Sequence, residues 1–143
     1  MTATPLDRAW LLAHLPHQGR MNLLEAIVAW DATSVRALGR GHRAPDHPLR
    51  RAGELPIACG IEYAAQAAAA HGALVSEHTS SAGFLASVRS VAFHARRLDD
   101  VPGDLEVVAE QIGGGAGGVL YRFQVASGGR ALVEGRLTVV FAR

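Results

Sequence analysis

Lysine is absent from this 143-residue chain, and all 14 of its basic side chains are arginine. No Schiff-base lysine and no phosphate-loop lysine is therefore available to it. A single cysteine, Cys59, excludes an internal disulfide and a cysteine-rich zinc site, and suits a reducing compartment. There is no surplus of one charge either. The 14 basic and 13 acidic groups cancel to +1, which removes the excess typical of a dedicated nucleic-acid binder. No run of about 18 apolar residues occurs, and Met1 to Arg8 lacks a basic stretch leading into an apolar one. These absences lead us to expect a cytoplasmic protein with neither membrane nor nucleic acid as partner.

What is present is apolar. Hydrophobic residues make up 49% of the chain against 19% charged, the balance of a folded globule, and the length suits one domain spanning 1–143. No internal repeat or long linker interrupts it. A short helix is predicted around Leu6 to Ala13, then a strand over Leu23 to Trp30 with Thr33 to Leu38 returning beside it.

From Ala58 to about Val75 the character changes to alanine, the strongest helix former. Nearly every side of this long helix is small or apolar, so it should be wrapped by other structure rather than laid against it. Four strands follow, over Phe84 to Ala95, Leu105 to Ile112, Leu120 to Ala126 and Ala131 to Phe141. Turn signals at Val101 to Asp104, in the glycine cluster Gly113 to Gly118 and at Ser127 to Gly129 predict antiparallel hairpins between them. The order of elements points to an α+β hotdog fold, a curved antiparallel sheet wrapped around one long central helix. Such a sheet keeps an edge strand, and pairing two edges predicts a double-hotdog homodimer.

Glu62 is the most informative polar residue, because it lies in the first turns of that apolar helix. A carboxylate buried without partners is costly, so a buried Glu62 needs hydrogen bonds or a function; an exposed one needs only the helix macrodipole. Gln66, four residues on, shares its face and either holds the carboxylate or a ligand, or serves as polar glue in the core. Pro56 ahead of the helix and Gly60 in its first turn permit a ligand to approach free backbone N–H groups, where a developing oxyanion is stabilised. Cys59 beside them reads as core filling or as a nucleophile, and joins Pro56, Gly60 and Gln66 as a candidate substrate contact.

His47 sits in the loop Gly41 to Leu49 ahead of the helix, where an imidazole suits proton transfer; as one of seven histidines it also reads as a solvated loop residue. No two histidines have the i, i+4 spacing of a helical zinc motif, so neither a metal nor another cofactor is expected. Arg50, Arg51, Arg89, Arg96 and Arg97 either form a solvated face or gather at a pocket mouth to attract a phosphate-bearing carrier.

Three separated stretches resemble the beta-hydroxyacyl acyl-carrier-protein dehydratase family, whose fold is the hotdog. They are Leu15-Pro16-His17-Gln18-Gly19-Arg20-Met21-Asn22-Leu23-Leu24-Glu25, then Ile61-Glu62-Tyr63-Ala64-Ala65-Gln66-Ala67, then Phe93 to Leu98 with Val101-Pro102-Gly103-Asp104-Leu105. His47-Pro48-Leu49, Leu55-Pro56 and Gly60-Ile61-Glu62 are closer still to a divergent branch of aryl-polyene-type pathways. The resemblance implies elimination of water from a 3-hydroxyacyl thioester of acyl carrier protein or coenzyme A. It implies Glu62 as the acid, His47 as the base from the opposite subunit, and the N–H of Gly60 or a neighbour on the thioester carbonyl. His17 is given a structural role. The chain departs from the family's Gly-His-Phe-Pro-Gly by reading Asp46-His47-Pro48-Leu49-Arg50-Arg51, which puts the reach of His47 in question. A hotdog thioesterase and a non-catalytic partner subunit, forming a heterodimer with a second dehydratase, are the other two readings.

Overall fold

The computed structural model describes residues 5–75, 83–115 and 118–141. Asp7 opens α1 (Arg8–His14), its carboxylate accepting the Trp10 N–H at 3.0 Å, the usual way a helix start satisfies an orphan donor. β1 (Ala26–Trp30) and β2 (Ser34–Gly39) form the predicted pair. Asp31 makes their turn: it accepts the N–H groups of Thr33 and Ser34 and the Ser34 hydroxyl, which together hold its carboxyl down at about 2.

The alanine-rich segment forms α2 (Gly60–Val75), entered through a 3-10 turn at Ile57–Cys59. β3 (Gly83–Phe93), β4 (Leu105–Gly115), β5 (Gly118–Ser127) and β6 (Arg130–Phe141) complete one antiparallel sheet in the order β1-β2-β4-β5-β6-β3. β4 and β5 run further into the glycine cluster than the residue pattern suggested, pairing as far as Gly115 with Gly118.

One connection differs from expectation. Val101 to Asp104 is no hairpin, because β3 pairs with β6 and β4 lies on the far side of β5. The chain from Phe93 to Leu105 therefore crosses two strands. It is pinned on the way by Leu98 N–H on Leu55 O (2.8 Å), by Asp99 accepting the Leu55 N–H (2.8 Å) and by Ile57 N–H on Arg96 O (3.1 Å). Those bonds bring the crossing against the start of α2.

Small side chains set how closely α2 approaches the sheet. Ala64, Ala67, Ala68 and Ala70 are fully buried, with Val107, Phe123, Val125, Val133 and Leu137 among the strand residues that share the core. A Cβ on Gly60 would come within 2.7 Å of Val133, and one on Gly72 would lie inside the Phe141 ring. The two edges of the sheet differ. β1 is short and Leu6 pairs along it through two backbone hydrogen bonds with Ile27 (2.8 and 2.9 Å). β3 is 11 residues long, and Phe84 and Phe93 on it are 52% and 51% exposed. Among the described residues no helix is long and apolar enough to cross a membrane.

Candidate active site

The segment from Leu15 to Glu25 has little regular structure of its own and is held by side chains. Arg8 donates to the carbonyls of Asn22 (2.9 Å), Leu24 (2.8 Å) and Gly19 (2.9 Å), and Asn22 Nδ2 donates to Leu11 O (3.1 Å) and His17 O (3.2 Å). Fully buried Gln66 ties the segment to α2: its Oε1 accepts the Leu23 N–H and its Nε2 donates to Met21 O, both at 2.8 Å. The same Nε2 reaches Glu62 Oε1 at 3.3 Å. Gln66 thus bonds both the docked segment and the carboxylate four residues before it.

Docked in this way, the segment lays His17 on Glu62, with Nε2 3.2 Å from Oε1. The two side chains are 25% and 31% exposed, so the pair is reachable from solvent without standing free in it. Carboxyl and imidazole in contact can together take up one proton and release another. The sequence reading missed this partner. Its only signal was His17 inside a motif-like stretch, and the contact that gives it meaning spans 45 residues.

His47, expected as the base from the opposite subunit, is engaged within its own chain. It is buried, its Nδ1 accepts the Leu49 N–H at 3.1 Å, and its Nε2 lies 3.0 Å from the Tyr63 hydroxyl. Since Nδ1 accepts, the proton of the neutral ring sits on Nε2 and is donated to Tyr63. Both nitrogens are engaged, neither with Glu62. Burial, with Arg50 nearby, pushes the imidazole below its ordinary 6.5, and burial pushes the Tyr63 hydroxyl well above its ordinary 10. His47 and Tyr63 line a cleft of about 260 Å³ with Asn22, Arg20 and Asp46, the last two forming an ion pair at 2.5 Å.

At the helix start, the N–H groups of Cys59 and Gly60 turn inward, donating to Pro56 O (3.0 Å) and to the Ile57 carbonyl. Gly60 therefore offers no free donor, and its missing side chain serves the contact with Val133. Pro56 bridges Arg97 of the crossing chain. Cys59 is half-buried, its Sγ 4.0 Å from Leu49 O, and burial pushes its thiol up, against a nucleophilic role. The remaining N–H of the turn belongs to exposed Ala58, four residues before Glu62.

Arg50, Arg96 and Arg97 do not gather at a mouth. Arg96 and Arg97 bind Glu54 (3.0 and 2.7 Å), Arg97 also grips Asp99, and Arg50 lies 3.7 Å from Asp99. This network locks the crossing chain to the loop before α2 and holds the Asp99 carboxyl far below its usual range. Among the described residues no three His, Cys, Asp or Glu side chains are grouped to hold a metal.

Comparison with known proteins agrees with this architecture. The chain is similar in structure to the dehydratase heterocomplex ApeI:P from Xenorhabdus doucetiae, with a TM-score of 0.79, 22% identity and coverage of 93% of this chain and 91% of that one. It is also similar to a thioesterase variant from Pseudomonas aeruginosa (TM-score 0.68, 19% identity, 95% and 94% covered) and to a thioesterase from Haemophilus influenzae (0.61, 17%, 92% and 82%). At such identities these likenesses speak for the hotdog fold. No curated protein matches the sequence. The sequence model of the ApeP-like family, described as ApeP dehydratase, matches residues 11–143, and the chain belongs to that dehydratase family.

Proposed function

We propose that this dehydratase eliminates water from a 3-hydroxyacyl thioester, carried by acyl carrier protein or coenzyme A, to give the trans-2-enoyl thioester. The observation that carries the reading is the 3.2 Å contact of His17 with Glu62 at the start of α2. His17 takes the proton from C2, whose electron pair forms the double bond, and Glu62 gives a proton to the C3 hydroxyl as it departs as water. In this reading the Ala58 N–H polarises the thioester carbonyl, since that of Gly60 is bonded within its own turn. The step transfers two protons, breaks the C3–O bond and forms the C2–C3 double bond without oxidation or reduction, so it needs no redox cofactor. For His47 to be the base instead, as the resemblance implied, its ring must leave both Tyr63 and the Leu49 N–H.

The uncovered β3 edge with Phe84 and Phe93 supports assembly through that strand, as a homodimer or with a second dehydratase subunit. The ApeI:P likeness supports the second arrangement, and cytoplasmic synthesis of fatty-acid, aryl-polyene or polyketide type is the setting of this reading. The test is incubation of the purified protein with a 3-hydroxyacyl thioester, alone and with a second dehydratase subunit, following enoyl absorbance. Enoyl formation that needs Glu62 and His17 supports the reading. Release of free acid and thiol would make it a thioesterase, and turnover only with the added subunit, indifferent to Glu62, would make this chain the non-catalytic partner.

A further inference from the structure

The outer face of the sheet carries three arginines in one rung. Arg89 of β3 lies opposite Arg136 of β6, which lies opposite Arg122 of β5, and all three are exposed. Side chains opposed in this way stand about 5 Å apart at Cβ, where like charges repel. Arg122 is relieved by Glu110, next along the rung on β4, at 3.1 Å. Arg89 and Arg136 have no acidic partner among the described residues. The carboxylate of the adjoining rung, Glu134, is taken by His94 at 2.9 Å.

Beside the rung the face is hollowed. The pairing of β3 with β6 slips between Arg89 and Ala92, and Ser90 within that slip has φ 55°. A non-glycine residue in the left-handed region costs on the order of 1 kcal/mol and persists only where its surroundings hold it. Gly135 beneath gives the bulge its room, since a Cβ there would come within 3.0 Å of Val91 Cα. The result is a hollow of about 500 Å³ lined by Ser90, Arg122, Gln124, Glu134 and Arg136, among others. That is the size of a small-molecule site.

We propose that Arg89 and Arg136, with the Ser90 bulge at the lip of this hollow, bind a phosphate group on the outer face of the sheet. Two opposed guanidinium forks present more donors than one carboxylate can accept, and a tetrahedral phosphate can bridge them. The site is separate from the catalytic pair: Val133 of β6 faces Gly60 inside, while its neighbour Glu134 lines the hollow outside. Edge pairing through β3 would extend the sheet in its own plane and leave this face open. A second copy stacked face to face would oppose like charges, which argues against that occupant. The phosphate comes either from a nucleotide, such as the end of coenzyme A, or from free phosphate.

The test is calorimetric titration and thermal melting at low ionic strength, where surface charges are least screened. Its probes are inorganic phosphate, pyrophosphate and coenzyme A, on the wild type, Arg136→Gln and the double variant Arg89→Gln/Arg136→Gln. Without anion, Arg136→Gln melts higher than the wild type by about 1–4 °C, because a repulsion is gone. At least one probe binds the wild type and raises its Tm, and the double variant binds that probe at least tenfold more weakly. Tighter binding of coenzyme A than of inorganic phosphate assigns the nucleotide source, and equal binding assigns free phosphate. No binding by the wild type, equal binding by the double variant, or an Arg136→Gln protein that melts no higher overturns the proposal. None of these readings depends on catalytic turnover.

Discussion

Two histidines contact the first turns of α2, and their surroundings differ in every respect that bears on moving protons. His17 is a quarter exposed and faces a carboxylate; His47 is buried, bonded to a backbone N–H and a tyrosine hydroxyl, and kept neutral by desolvation. The difference teaches that residue type does not select a catalytic histidine. The loop histidine that the family resemblance singles out is engaged at both ring nitrogens within its own chain, while the one in the irregular entry segment meets the helix carboxylate.

The comparison breaks most decisively on rate. Glu62→Gln and His17→Gln each reduce kcat for enoyl formation by about 10²–10⁴, the span that general acid and base groups supply, while Tm changes little because both side chains are partly exposed. His47→Ala does the opposite. Removing it leaves the buried Tyr63 hydroxyl unpaired at a cost of about 1–3 kcal/mol in stability, with kcat of the folded enzyme nearly unchanged. Steady-state kinetics and denaturant melts on the three variants decide it. A large loss of kcat in His47→Ala beside a wild-type rate in His17→Gln would return the base to His47 and require a different conformation of its loop.

Gln66 sharpens the same contrast. Gln66→Leu leaves the buried Leu23 N–H without a partner at a cost of about 1–3 kcal/mol, removes the donor to the Met21 carbonyl, and frees the segment that carries His17. The expected signature is a loss of stability together with a loss of kcat that approaches but does not exceed that of His17→Gln. A Gln66→Leu protein with reduced Tm but full kcat would mean that His17 holds its place without help, and that Gln66 is core glue alone.

Much of the fold was legible because its signals are local. The run of alanines around Tyr63 with no polar stripe announced a wrapped helix, and alternation in Leu105 to Val108 or Tyr121 to Val125 announced strands. Val101 to Asp104 was misread for the opposite reason. A Pro-Gly turn looks the same in a hairpin as in a crossing, and which strand becomes the edge is settled by pairing between β3 and β6, whose paired residues are 40 or more apart. The site divides along the same line. Glu62 and Gln66 stand four apart on one helix and could be read together, whereas Gly60 was read as an opening toward a ligand when its lack of a side chain answers Val133 on β6. His17 meets Glu62 only because Arg8, Asn22 and Gln66 fold an irregular segment over the helix, and no periodicity marks such a segment.

The smallest expected effect concerns pH. His42, His47 and His71 are all held below the ordinary 6.5 by burial, His71 between the Tyr121 hydroxyl (2.8 Å) and the Asp31 carbonyl (3.0 Å). Below about pH 6.5 the unfolded chain binds protons that the folded chain refuses, so stability rises with pH across that window and levels off above it. Each such histidine adds at most about 1.4 kcal/mol per pH unit. Asp31 and Asp99 act in a lower window. Their depressed carboxyls contribute stability that is present above about pH 4 and is lost as they are protonated toward pH 2. Melting curves from pH 7.5 down to 3 should therefore fall in two stages. His71→Gln flattens only the upper stage, and Asp31→Asn only the lower one. A His71→Gln protein that keeps the full upper slope would mean that the buried histidines take up protons while folded, and the claim that burial holds His47 neutral would lose its footing.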